Sequence, residues 1–224
     1  MKTLKQLREE AYLKADIPEE SAAIDTTLAN LYVNEAWCEL YDIIISADDA
    51  RTFALNAQIT TSLGAGTHGF LLPERFYHMC SVHVLRNNVY IPAIQADPSQ
   101  YAELADDTSD LGQPRYFIRE DADSGVCLIY VFPEPSVEAL AFTYFPEPKL
   151  LEDDADALSN RGQRLEFVTN GAAIRMLQKV ERDPSDLQKM QTACFRRITD
   201  TYINRDFNNP RRIRDISYRF GFDG

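Results

Sequence analysis

No CxxC pair occurs anywhere in these 224 residues: Cys38, Cys80, Cys127 and Cys194 stand far apart. That spacing does not match a zinc ribbon or a disulfide framework. It predicts free thiols buried beside apolar neighbours, as suits a reducing compartment. Histidine is scarce, with only His68, His78 and His83. In "HMCSVH" strand alternation puts His78 and Cys80 on one face and His83 on the other, so two ligands converge where zinc needs three or four. "SLGAGTHG" lacks the lysine of a phosphate loop, and no GxGxxG lies between a strand and a helix. No GxSxG appears, and no Ser or Cys is visibly paired with a His. The acids of "LADDTSD" and "LEDDADAL" run consecutively, as solvated loops do, and lack the calcium-loop spacing. No catalytic residue, cofactor site or metal site is therefore expected, and the chain reads as a structural or binding protein.

Two further shortages narrow the class. No apolar run approaches the ~20 residues that a membrane span requires. The opening "MKTLKQLREEAYLKAD" is charged throughout and has no apolar core of a secretory signal. Positive charge is also in deficit, with 23 Lys and Arg against 35 Asp and Glu, a formal net charge of -12. Broad nucleic-acid binding by such a surface is disfavoured. The expectation is a soluble protein made in a cytoplasm, with no membrane partner.

Apolar residues are plentiful, at 45%. A chain of this length buries enough surface to fold without staples. Thr3 and Gln6 predict a capping box at the start of a short helix over 3–15. Pro18, Glu19 and Glu20 suit a first turn, and Ile24, Leu28, Leu31, Trp37 and Leu40 roughly keep helical spacing; together they predict one long helix from about 18 to 46. The period then changes. Phe53, Leu55, Ala57 and Ile59 alternate as in a strand. "FLLPERFYHMCSVHVLRNNVYIPAI" holds strands broken at Pro73, with Asn87-Asn88 as a hairpin turn. The acidic stretch that follows is mostly loop, with a short helix around Tyr101. Three strands come next: "RYFI", "GVCLIYVF" and "ALAFTYF".

Beyond Lys149 the period is helical again. Leu165, Val168, Ala172, Met176 and Val180 form one stripe. Asp183-Pro184 starts another helix, with Leu187, Met190, Cys194, Ile198 and Tyr202 as its stripe. Segregated blocks predict an α+β fold. In it a long N-terminal helix and two C-terminal helices form a bundle, with a β-rich insertion and an extended C-terminal tail. The expected boundaries are 1–49 and 150–207 for the helical core, 50–149 for the insertion and 208–224 for the tail.

That tail, within "FNNPRRIRDISYRFGFDG", is basic and aromatic in an acidic protein. Solubility alone explains arginines in a terminal segment. It gives no use for Ile213, Ile216, Tyr218, Phe220 and Phe222, which with Arg211, Arg212 and Arg214 are the residue types of interface anchors.

The order of these features resembles the head-to-tail adaptor (connector) proteins of tailed bacteriophages, from about residue 18 to 215. The likeness is carried by the early helix ending in "NEAWCELYD", by "GFLLPERFYHMCSV", by "GQPRYFI", "GVCLIYVFPEP" and "LAFTYFPEPKLLEDDADAL", and by the helix pair with the Arg-rich "RDFNNPRRIRD" after it. The resemblance implies a structural virion protein of the neck, assembled in the host cytoplasm as a dodecameric ring below the portal protein. The helices would form the ring wall. Arg211, Arg212, Ile213, Arg214, Tyr218, Phe220 and Phe222 would grip the portal, and the β insertion would meet a downstream tail or nozzle protein. Genomic DNA would pass through a central channel without specific binding. Stopper and tail-tube-proximal roles lie close by. Two other classes stay open: a cytoplasmic protein-binding or regulatory module, and a hydrolase using the acidic loops. For a ring, the acidic loops 97–110 and 147–156 are expected to face Arg161, Arg164, Arg175 or Arg182 of an adjacent copy.

Overall fold

The computed structural model describes residues 1–19, 21–47, 57–62, 70–86, 88–97, 99, 113–120, 127–132, 139–159 and 162–205. The chain divides into two compact units, Met1–Asp49 with Pro148–Gly224, and Ala50–Glu147. The first is mainly helical and the second is built of strands, an α+β composition as the sequence predicts.

Helix α1 spans Leu4–Ala15. Its capping box forms as expected: the Gln6 amide donates to Thr3 Oγ1 at 3.3 Å, and the Thr3 amide donates to Gln6 Oε1 at 3.0 Å. Asp16 ends it in the left-handed conformation, φ 51°, a geometry that short polar side chains tolerate. The long helix α2 spans Thr26–Ala47, so it begins eight residues later than the sequence pattern suggests. Residues 18–24 form turns instead, with Ser21 N donating to Pro18 O and Ile24 N to Ser21 O. Asp25 Oδ1 accepts from Leu28 N at 2.7 Å, which caps α2 there, and the buried Tyr12 hydroxyl donates to Ile24 O at 3.1 Å. The buried stripe of α2 runs through Ala29, Val33, Ala36, Leu40 and Ile44, whereas Leu31 is 51% exposed.

Two more helices follow the β unit in the chain. Helix α3 spans Gln163–Lys179 and α4 spans Ser185–Arg205. The Ser185 amide donates to Asp183 Oδ1 at 3.0 Å, so Asp183 caps α4 with Pro184 as its first residue. In α3 every residue from Phe167 to Ala173 is buried. A stripe of every third or fourth residue would suffice for one neighbour. Burial all round requires several, and α3 packs on α1, α2 and α4. The tightest crossing is at Gly171, where an added Cβ would sit 2.9 Å from the Ala36 Cβ. In α4, Cys194 and Ile198 of the expected stripe are buried, but Met190 is 43% exposed. Strands β1 (Lys2–Thr3) and β10 (Ala157–Leu158) pair antiparallel. They are too short to show a period, and the sequence gives no sign of them.

The second unit holds β2 (Ala57–Ser62), β3 (Phe70–Leu71), β4 (Phe76–Arg86), β5 (Val89–Pro92), β6 (Ile94–Gln95), β7 (Arg115–Glu120), β8 (Cys127–Phe132) and β9 (Ala139–Pro146). They form two four-stranded sheets, ordered β2-β9-β4-β5 and β3-β8-β7-β6. Val82, Val84, Leu140 and Phe142 of the first sheet share one core with Tyr116, Ile129 and Val131 of the second. Alternation sends Phe117, Tyr130 and Phe132 to the other face of the second sheet, where Phe117 stacks on both rings at 5.0 and 5.7 Å. Arg86 pairs with Val89 across the expected hairpin, and Asn88 takes φ 62°. Phe53, Leu55, residues 63–69 of the "SLGAGTHG" loop and the segment around Tyr101 lie outside the described residues.

Strand β4 departs from simple alternation. Its pairing with β9 slips between Phe76 and His78 and again between Met79 and Ser81. Each slip is a bulge that shifts the side-chain phase by one residue. Phe76, Met79, Val82 and Val84 therefore all pack on the core, and His78 does not share the face of Phe76. It lies against Phe145 at 6.4 Å.

The Gly171 crossing gives a test in which two effects oppose. Alanine in a helix is favoured over glycine by about 1 kcal/mol. Overpacking a tight core costs about 1–3 kcal/mol, and Ala36 belongs to a helix backbone that cannot swing aside. Gly171→Ala should therefore lower the Tm measured by circular dichroism. A raised Tm would show that α2 and α3 can part there freely.

Candidate interaction site

Every side chain expected to grip a partner, Arg211, Arg212, Ile213, Arg214, Tyr218, Phe220 and Phe222, lies outside the described residues. What the structure places is their root. Helix α4 leads directly into that segment and is fastened to α3 by a narrow seam. Cys194 and Ile198 are buried, and the Asn170 amide nitrogen approaches Cys194 Sγ at 3.9 Å. Burial pushes the Cys194 thiol up from its ordinary value, so it stays protonated and inert at neutral pH. Outside the seam, Met190 and Phe195 are each 43% exposed.

Thr169 and Asn170 are fully buried polar residues in the middle of α3. Such groups are costly unless hydrogen-bonded. Lys14 of α1 answers both, donating to Thr169 Oγ1 at 2.6 Å and to Asn170 Oδ1 at 2.8 Å. Its charge is balanced by Glu10 at 3.2 Å, and Glu10 also pairs with Lys2. Burial works to raise the Glu10 carboxyl, but the Lys2 hydrogen bond and the Lys14 charge outweigh it and hold the group below the usual range. The sequence reading passed over this network. Its one visible trace was "TNG", three poor helix formers interrupting an apolar stripe at 169–171.

The segment after β9 forms a strap across α1 and α2. Trp37 Nε1 donates to Lys149 O at 3.1 Å. Asn34 donates to Leu151 O at 2.9 Å and accepts from Leu151 N at 2.8 Å. Arg8, itself buried, holds Asp154 with both terminal nitrogens and Asn30 with one. The hydrogen bond from Arg8 holds the Asp154 carboxyl low. Asp156 accepts the backbone amides of Glu152 and Asp153, which lowers it likewise.

These contacts give two acids of loop 147–156 partners within the chain. Asp154 is committed to Arg8 of the same chain, and Asp156 to its own backbone with Lys149 nearby. On the other side, Arg175 reaches Glu35 at 3.0 Å, pairs with Glu39 and donates to Gly171 O. Arg182 donates to Asp16 O at 3.1 Å, across the C-terminus of α1. Most of loop 97–110, and Arg161, lie outside the described residues. Among the described residues no group of three or more His, Cys, Asp or Glu is placed to hold a metal, and none of their helices is long and apolar enough to cross a membrane. The lowered carboxyls Glu10 and Asp154 belong to ties between elements, and Asp156, Asp97 and Asp183 are lowered by hydrogen bonds from residues a few positions away. Such shifts have a structural cause and carry no argument for catalysis.

On its outer side α1 carries an open groove of about 760 Å³. Met1, Leu13 and Ile17 supply its apolar lining, and Lys2, Glu9, Glu10 and Glu19 its charges.

Residues 2–214 match the family model described as SU10 adaptor protein. No curated protein matches the chain.

Lys14→Met should leave the buried Asn170 Oδ1 without its donor, at about 1–3 kcal/mol for the group left unpaired, while the Thr169 hydroxyl keeps Glu166 O, and lower the Tm by several degrees. Lys189→Met, which removes a fully exposed partner of Asp186, should leave it unchanged. Equal effects would deny the network its role. Acid should act through the same ties. Glu10, Asp154 and Asp156 have folded values below their unfolded ones, so the stability they add is present above about pH 4 and is lost as pH falls through the lowered values. Asp154→Asn should flatten the Tm profile in that acid range. A parallel profile would assign the acid loss to other groups.

Proposed function

The chain belongs to the SU10 adaptor protein family, a family of phage head–tail adaptors, and from that premise we propose that it forms a ring that docks on the portal protein and joins it to the tail. The family gives the protein a structural role in the virion, in association with portal and tail proteins. The finer reading is this. The helical unit forms the wall of a dodecameric ring in the neck, the C-terminal segment reaches the portal, and the β unit meets a downstream tail or nozzle protein. DNA passes through the channel without specific binding, and a formal net charge of -12 supports that, since an acidic passage repels phosphate. The observation that carries the proposal is the extent of the match. It takes in both compact units and runs through Arg214, so Arg211, Arg212, Ile213 and Arg214 lie inside the family's segment.

Portal docking must meet the cost of ordering residues 208–224. Backbone entropy costs on the order of 1 kcal/mol per residue. Exposed ion pairs return at most about 1 kcal/mol each, so the arginines alone cannot offset it. Buried aromatic anchors, repeated around a ring, must supply most of the affinity. Tyr218→Ala with Phe220→Ala should weaken docking on purified portal more than Arg211→Ala with Arg212→Ala, which should mainly change its salt dependence. A more severe arginine double variant, accompanied by loss of DNA retention, would point to phosphate contacts instead. A chain that stays a monomer beside the portal at low and high salt would overturn the ring.

A further inference from the structure

The groove on α1 is the wrong surface for a protein that works alone. Leu13 is 81% exposed and Met1 78% exposed. Both line the groove, with Ile17 at its far end. Three carboxylates, Glu9, Glu10 and Glu19, stand there against one amine, Lys2. Glu10 pairs with Lys2 and Glu9 lies 3.8 Å from Lys5, and Glu19 adds a further negative charge to the lining. An apolar trough with acidic rims calls for a ligand that is apolar and basic at once.

The chain contains such a segment. Beyond Arg205, where α4 ends, residues 206–224 carry Arg211, Arg212, Arg214 and Arg219 with Ile213, Tyr218, Phe220 and Phe222. Position favours the same chain. Asn170 in the middle of α3 meets Cys194 in the middle of α4, so the two helices run antiparallel around a short turn. The end of α4 thus lies toward the start of α3. That start follows β10 by a few residues, and β10 pairs with β1, at the root of α1. The segment therefore leaves the helical unit at the end where Met1 and Lys2 open the groove. Fully extended, its nineteen residues span up to about 60 Å, several times the roughly 18 Å length of α1. A tethered ligand also meets its site at an effective concentration near millimolar, which no free partner matches.

We infer that the α1 groove is the docking site of the protein's own C-terminal segment. Tyr218, Phe220 or Phe222 occupies the trough beside Leu13, and the arginines lie along Glu9 and Glu19. The contact covers Leu13 and the tail aromatics in the free protein. It holds the segment at home until a partner with greater affinity takes it. The inference does not depend on that partner being the portal.

Hydrogen exchange of the full-length protein, without portal, tests it. Tail amides should exchange roughly fivefold or more slowly in the wild type than in Leu13→Asp or Glu19→Lys, both at exposed positions, since one or two kcal/mol of contact corresponds to that ratio. Phe220→Ser with Phe222→Ser should lose the same protection with an unchanged Tm. The protection should weaken with salt and be independent of protein concentration. Equal tail exchange in all four proteins would overturn the inference. Protection that grows with concentration would overturn it too, by placing the tail on a second copy. Either result leaves portal docking to be judged by its own experiment.

Discussion

The helical unit depends on the enclosure of α3. Seven consecutive residues, Phe167 to Ala173, have no solvent-facing side, so α1, α2 and α4 must all be present for α3 to be stable. Each large side chain taken out of water contributes about 1.5–3 kcal/mol, but the enclosure also traps Thr169 and Asn170. Their partner comes from α1, through Lys14. A short amphipathic helix with little stability of its own thereby becomes a required part of the core. The two halves of the unit, before and after the β segment in sequence, are held to one another by this contact.

The strap completes that union. Arg8, Asn34 and Trp37 come from the first half, and Lys149, Leu151 and Asp154 from the second. Polar side chains reaching extended backbone fix its register in a way that apolar packing would not. The Arg8–Asp154 pair is half-buried, with the guanidinium enclosed and the carboxylate in water. This arrangement avoids the full desolvation cost of a buried ion pair. It also gives Asp154 a partner in its own chain.

An adaptor has to be rigid where it is clamped between other proteins and adaptable where it reaches for them. The helical unit supplies rigidity through tight approach at Gly171 and Ala36. The segment beyond α4 pairs arginine with aromatic residues in its composition. On the proposed docking of the C-terminal segment on α1, its affinity for an outside partner is a difference between two docked states.

Much of this protein was legible residue by residue, wherever the cause is local. The Thr3–Gln6 capping box, the Asp183–Pro184 start, the turn at Asn88 and the strand character of β7, β8 and β9 each depend on neighbours within a few positions. The segregation of helical and strand periods was enough to give an α+β fold, and the order of motifs pointed to the family. Distant partners decided the rest. Asp25 and the Tyr12 hydroxyl, not Pro18, determine where α2 begins. Pairing with β9 introduces the bulges that turn His78 away from the face of Phe76. Enclosure by three helices buries Thr169 and Asn170, and the strap takes up Asp154. None of these leaves a period in the sequence, because a contact between separate elements depends on where the chain has already folded and not on the pattern of residues along one element.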